Sequence, residues 1–292
     1  MGHPNRRRSL KSPLRDAERP SGAAPLIPDG LDAVVVLLRH GQTEFIVDKR
    51  FQGQMEAPLT SLGRRQAELA GTRLAAPHAP PPIPIPDTSP FAIVHSPLGR
   101  AALTAAAVVA AMASAGRATP PLRSDPGFLE IGQGEWEGLA DTEIQRRFGE
   151  SLAGWRRWPT RYYAPGGETL AQVRTRVEAS LAALLADMAD GTAPGTMDRH
   201  QVLGYTDETG GGPRWSLVVG HGGVFRVVVC ALLGLEPEHF WNFDFGLAAI
   251  TVVEIRAGRA VLRALNLDDH LGDVAAAATS GPAAPQDASG AL

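Results

Sequence analysis

Lysine is almost missing from this 292-residue chain. Lys11 and Lys49 are its only two, so nearly every basic side chain is an arginine and an isolated arginine says little. Cysteine is rarer still: Cys230 alone, within the apolar stretch 224–235, excludes an internal disulfide framework and reads as a small core residue. A reducing compartment, the cytoplasm, is the expected location. No window approaches the ~20 consecutive apolar residues of a membrane span, and a net charge of -3 generates no field that would gather nucleic acid or an anionic membrane. Neither is expected as a partner. No spacing of histidines and carboxylates suggests a metal site, and Gly220-His221-Gly222-Gly223 lacks the lysine of a nucleotide-binding phosphate loop, so no metal and no cofactor is expected.

What the chain has in quantity is alanine, glycine and proline, unevenly spread. Residues 1–32 carry Arg6, Arg7, Arg8, Lys11, Arg15 and Arg19 without apolar periodicity, and residues 271–292 are rich in Ala, Gly and Pro. Both are expected to be disordered tails, because they bury too little surface to offset ordering entropy. Arg7-Arg8-Ser9-Leu10 faintly resembles an export signal, but no apolar stretch of about 7 to 15 residues follows, and a solvated basic extension is the expectation. One catalytic domain, residues 33–270, remains. Two stretches within it look like surface insertions: residues 77–90, with seven prolines, as an extended polyproline-like connector, and residues 191–214, with Gly210-Gly211-Gly212-Pro213, as a flexible loop.

Apolar segments alternate in period along this domain. Residues 34–38, 91–95 and 217–219 read as strands, residues 62–76, 98–115, 169–188 and 224–233 as helices, and residues 249–255 and 260–265 as a hairpin turning at Ala257-Gly258. Alternating strands and helices predict an α/β fold: a three-layer sandwich with a mainly parallel central sheet and helices on both faces. Ligands in such sheets bind beyond the carboxyl ends of the strands.

Two histidines fall there. Arg39-His40-Gly41 follows the first strand and His221-Gly222-Gly223 follows another. An arginine offers a charged fork to phosphate oxygens, and a glycine lets backbone come close, so two such strand ends meeting at one crevice would suit phosphate. Arg100 lies in the first turn of the helix after Ser96-Pro97-Leu98, where N-terminal amides could face an anion. In Leu129-Glu130-Ile131-Gly132-Gln133-Gly134-Glu135-Trp136-Glu137-Gly138, three carboxylates lie among glycines and aromatics, surroundings that suit proton donation to a leaving group.

In this order, these pieces resemble the histidine phosphatase superfamily, also called the phosphoglycerate mutase-like family, across residues 33–270. The resemblance rests on Arg39-His40-Gly41, Phe51-Gln52-Gly53, Pro58-Leu59-Thr60, Ser96-Pro97-Leu98 with Arg100 and Thr104, Leu129-Glu130 with Trp136-Glu137-Gly138, Pro165-Gly166-Gly167-Glu168, and His221-Gly222. It implies that His40 is the nucleophile that becomes phosphohistidine, and that Arg39, Arg100 and a protonated His221 hold the phosphate. Gln52, Gly53 and Gly222 complete the expected phosphate-binding set. Glu130 then matches the acid that protonates the leaving oxygen and, as base, activates the hydrolytic water.

The family pattern is broken at Ile46, where an asparagine usually holds phosphate, so one contact is expected to be missing. His95 stands where a small residue is common and reads as a hydrogen-bonded strand-end residue. Glu135 and Glu137 read as structural or lid residues, Glu168 as a helix-start residue bonded to backbone amides, and Arg156, Arg157 and Arg161 among Trp155, Trp158, Tyr162 and Tyr163 as a basic face over an aromatic patch or a substrate cap. The stretch Ile131-Gly132-Gln133-Gly134 after Glu130 resembles phosphatases rather than mutases. The resemblance therefore implies a metal-independent phosphomonoesterase acting on a small phosphorylated metabolite, with mutase-type transfer or a non-catalytic phospholigand-binding module as alternatives.

Overall fold

A computed structural model describes residues 25–190, 213–272 and 274. Most of the expected N-terminal extension, loop insertion and C-terminal tail lie outside the described residues. Among those described, six strands form one sheet: β1 (Ala33–Arg39), β2 (Ala92–His95), β3 (Leu122–Ser124), β4 (Arg214–Gly220), β5 (Ile250–Arg256) and β6 (Arg259–Leu267), in the order β3-β2-β4-β1-β5-β6. Pairings from β3 to β1 are parallel, and β5 runs antiparallel to both β1 and β6. The helices are α1 (Glu44–Val47), α2 (Ser61–Ala75), α3 (Gly99–Ser114), α4 (Asp141–Arg157), α5 (Leu170–Asp190) and α6 (Gly222–Leu233).

The continuous apolar run of β1 explains its central place, since a strand covered on both faces has no polar side to offer. Val34, Val36 and Leu38 enter one core with α2 and α3, while Ala33, Val35 and Leu37 enter the other with α5 and α6. The expected three-layer α/β sandwich is the fold observed. Cys230 is buried in α6, and burial pushes its thiol up to about 11. No helix among the described residues is long and apolar enough to cross a membrane.

Three parallel strands end at one level. Arg39 pairs with Gly220 and His95 with Val219, so the residues that follow, His40, Ser96 and His221, leave the sheet side by side. The His40 amide donates to Gly220 O at 3.0 Å and the Ser96 amide to Val219 O at 2.9 Å, which carries the register one residue past the strands.

Besides the four-residue α1, two elements escaped the sequence. β3 is three exposed residues with no apolar alternation, placed by its pairing with β2. α4 carries Ile144, Phe148, Leu152 and Trp155 at spacings of four, four and three, a helical stripe that could have been found; Phe148 departs from helical backbone at φ -134° and interrupts it. The fold also begins before residue 33: Leu31 is buried, with Leu26 and Ile27 against the core.

The proline-rich stretch 77–90 differs most from expectation. Rather than an extended surface connector, it sends Ile83 and Ile85 into the core beside α2 and α3. Arg73 of α2 gathers its carbonyl oxygens, donating to Ala76, Pro77, Ala79 and Pro81. Ile85 is fully buried, so Ile85→Ala should cost about 2–5 kcal/mol in urea denaturation. A loss below ~0.5 kcal/mol, the range of surface substitutions, would mean that the stretch is not part of the core.

Candidate active site

His40 stands at the end of β1, 1% exposed. Its Nδ1 lies 2.7 Å from Gly41 O. A carbonyl only accepts, so Nδ1 carries the hydrogen and Nε2 keeps its lone pair. Burial, with Arg100 and Arg39 nearby, holds this ring well below the usual histidine range and therefore neutral. The His221 ring lies 5.1 Å away between centroids.

The glycine after His40 serves a different purpose from the one expected. A Cβ on Gly41 would lie 2.2 Å from Gly63 O, so what approaches it is the first turn of α2. Gly222 does belong to the crevice: a Cβ there would lie 3.2 Å from the Arg39 guanidinium carbon, and its absence lets Arg39 lie against the start of α6. Arg39 donates from Nη1 to Phe245 O at 2.6 Å, while its buried Nε has no partner. Burial lowers it to about 10, still charged at neutral pH.

Arg100 is 1% exposed, and each of its three nitrogens has a partner. Nη2 donates to Gly53 O at 2.7 Å, Nη1 to Met55 O at 2.8 Å, and Nε to His221 Nδ1 at 3.2 Å. Gly53 thus turns a carbonyl toward the guanidinium; its φ of +48° and the Glu137 carboxylate, which a Cβ would strike, require glycine. Gln52 is buried with Oε1 accepting from Thr43 Oγ1 at 2.7 Å. The N-terminus of α3 does not face an anion from outside: the Gly99 amide already donates to both Glu56 carboxylate oxygens at 3.1 Å.

Because Nδ1 of His221 accepts from Arg100, its hydrogen sits on Nε2, 2.8 Å from Ser96 Oγ. Burial, Arg100, His40 and Arg39 all push this ring below the usual range. The protonated His221 expected from the sequence is therefore neutral here, since two arginines already supply the positive charge. Ser96 was visible only as part of its Ser-Pro-Leu motif; its role as partner of His221 appears once β2 and β4 are paired.

Glu130 is 1% exposed, and its surroundings are not the apolar ones expected. Oε1 accepts from the amides of Val224 at 2.8 Å and Ile131 at 2.9 Å, and Oε2 from Gly223 at 3.1 Å. Two of these amides open α6, whose positive dipole end favours an anion. The Glu130 segment is held from behind by Arg176 and Glu168. Burial pushes the Glu168 carboxyl up, but hydrogen bonds from Arg176 and Gly132 outweigh it and leave the group below its ordinary value. Glu168 is thus bonded to a backbone amide as expected, that of Gly132 rather than of its own helix.

Other singled-out residues stand at the margin. Glu137 is structural, accepting from the amides of Gln54 and Gln133 at 2.9 Å. His95 Nδ1 lies 2.8 Å from Ser96 O, a strand-end hydrogen bond. Trp155 is buried; Trp158, Tyr162 and Tyr163 are exposed, with Arg157 and Arg161 over the Trp158 ring at 5.3 and 5.7 Å. Among the described residues no group of three or more His, Cys, Asp or Glu could hold a metal ion.

His40, His221 and His270, whose Nε2 lies 3.0 Å from Ala248 O, all have folded values below the unfolded one. In the window below the unfolded value of about 6.5, the unfolded chain binds more protons than the folded one. Stability is therefore fully present above ~6.5 and lost as pH falls, by up to about 1.4 kcal/mol per pH unit for each group. Urea midpoints from pH 7.5 to 5 should decline accordingly, and less steeply in His221→Asn; a flat profile would contradict buried neutral histidines.

The chain is similar to known proteins over most of its length. The profile of the histidine phosphatase superfamily (branch 1) matches residues 35–193 and 200–268. Phosphoserine phosphatase 1 of Hydrogenobacter thermophilus is 27% identical over 242 residues, 82% of this chain and 94% of that one. Glucosyl-3-phosphoglycerate phosphatase of Mycolicibacterium vanbaalenii is 31% identical over 221 residues, 76% of this chain and 83% of that one. The structure of a mycobacterial glucosyl-3-phosphoglycerate phosphatase complexed with VO3 superposes with a TM-score of 0.62 and 26% identity, covering 81% of this chain and 100% of that one.

Proposed function

This chain belongs to the histidine phosphatase superfamily, and from that membership we propose that it hydrolyses phosphomonoesters of small metabolites through a phosphohistidine on His40. The observation that carries the mechanism is the His40 tautomer: a buried neutral ring with Nδ1 tied to Gly41 O and Nε2 unprotonated, beside Arg39 and Arg100. Phosphoryl transfer needs in-line positioning and positive charge on the equatorial oxygens more than it needs covalent assistance. The arginines provide that charge without a metal.

In the first step Nε2 of His40 forms a bond to phosphorus as the ester oxygen departs, and Glu130, which enters this step protonated on Oε2 rather than as the bare carboxylate, gives that oxygen its proton. In the second, Glu130 takes a proton from water, the hydroxide attacks phosphorus, and inorganic phosphate leaves His40 as it was. Glu130 ends the cycle in the state in which it began. Arg39, with its unpartnered Nε, and Arg100 hold the phosphate. His221 fixes Arg100 through Nδ1 while its Nε2–H is held by Ser96 Oγ, and Gly222 keeps the α6 backbone close to Arg39. Gly53 acts through the Arg100 guanidinium, and Gln52, buried next to it, has its Oε1 taken by Thr43, which leaves its amide nitrogen for the phosphate.

The relatives named for phosphoserine and glucosyl-3-phosphoglycerate support a small phosphorylated metabolite as substrate. The lone, buried Cys230 fits a cytoplasmic enzyme. Mutase-type transfer is not favoured.

The test is phosphate release from a panel of esters between pH 5 and 8 with chelator present, with acid-labile phosphoenzyme trapped in parallel. His40→Ala should abolish both turnover and phosphoenzyme; persistence of either would remove the nucleophile assignment. Glu130→Gln should lower kcat/KM on alkyl phosphates by about 10²–10⁴-fold, the usual contribution of a general acid. p-Nitrophenyl phosphate, whose leaving group needs no proton, should suffer much less.

A further inference from the structure

We propose that Arg176, Glu168 and Gln54 form a clamp that positions Glu130 for proton transfer and ties it to the phosphate-holding Arg100. This rests on the reading of Glu130 as the proton donor. Glu130 lies in a loop, where no helix or sheet ladder fixes the backbone on either side of it. Arg176, from α5, supplies the missing partners. Nη1 donates to Gly127 O at 2.9 Å and Leu129 O at 2.8 Å, and Nη2 donates to Glu130 O at 3.1 Å. A single guanidinium thus grips three carbonyls, the last belonging to Glu130 itself.

Glu168 holds Arg176 in place and grips the same segment just beyond. It accepts Arg176 Nε on Oε1 and Nη2 on Oε2, both at 2.8 Å. Oε2 also accepts the Gly132 amide at 2.8 Å, while the Glu168 amide donates to Gly132 O at 2.8 Å. Gln54 closes the clamp, with Nε2 donating to Glu130 O at 3.0 Å and Glu168 Oε2 at 3.1 Å.

Gln54 sits between Gly53 and Met55, whose carbonyls hold the Arg100 guanidinium. One chain of hydrogen bonds therefore runs from Arg100 through residues 53–55 to the Glu130 backbone and on to α5. Its geometry sets how far the acid stands from the phosphate. A planar guanidinium with donors on three nitrogens can span these acceptors and an ammonium cannot.

The experiment compares kcat/KM, which reports the step up to phosphorylation of His40, for an alkyl phosphate and for p-nitrophenyl phosphate. Arg176→Lys and Glu168→Gln should each lower it about 10- to 100-fold on the alkyl ester, as displacing a catalytic group by about 1 Å does, and by under about 3-fold on the nitrophenyl ester. In a Glu130→Gln background, Arg176→Lys should add little. Equal losses on both esters, or an undiminished loss in the Glu130→Gln background, would overturn the clamp and leave these residues with only a stabilising role. Should Arg176→Lys fail to fold, Gln54→Ala, at a partly exposed position, is held to the same two criteria. If Glu130→Gln itself shows no dependence on the leaving group, it is the assignment of the acid that fails.

Discussion

The pairing of Arg39 with Gly220 in adjacent parallel strands decides where the chemistry can occur. Side chains in a strand alternate between faces, so a slip of one residue would send His40 and His221 to opposite sides and exchange both buried faces of β1. That slip is prevented by the apolar residues themselves, since Val34, Val36 and Leu38 have one core to fill and Val35 and Leu37 another. Burial energy spread over the whole sheet thereby sets an alignment at its edge. α6 starts where β4 stops, which brings the amides that hold Glu130 to the same place.

The crevice so formed concentrates charge in a buried space. Arg39 and Arg100 are both lowered by burial, and Glu130 opposes that shift in each. The histidines respond by remaining neutral, which leaves a free lone pair on Nε2 of His40 and makes His221 an acceptor for Arg100. An arginine nitrogen buried without a partner, Nε of Arg39, is costly unless an anion arrives to complete it. Arg39 thus keeps an unmade bond at the crevice, while Glu168 and Arg176 behind it are bonded to one another and to the backbone around Glu130.

Much of this was legible beforehand. The strand-end positions of His40 and His221 followed from apolar runs that stop abruptly, and Arg100 and Glu130 followed from motif order. The partners were not legible, because they depend on contacts between residues far apart: Ser96 meets His221 across 125 positions and Arg176 meets Glu130 across 46. The charge state of His221 was misread for the same reason, since it depends on a hydrogen bond from Arg100. α4 went unseen although its apolar stripe was present, and β3 had no signal to give.

Arg73 lets the proline-rich stretch keep its course. Prolines have no N–H, so such a segment offers more acceptors than it can satisfy through its own backbone. Three of those oxygens, with that of Ala76 just before them, turn to the Arg73 guanidinium, which also pairs with Asp269 near the other end of the described fold. The length of the stretch is accordingly set by the reach of one side chain. The exposed positions of the stretch, Pro80 to Pro82 among them, touch neither the core nor the guanidinium through their side chains, whereas Ile83 and Ile85 are held by the core. A change in residue count would strand several carbonyls at once.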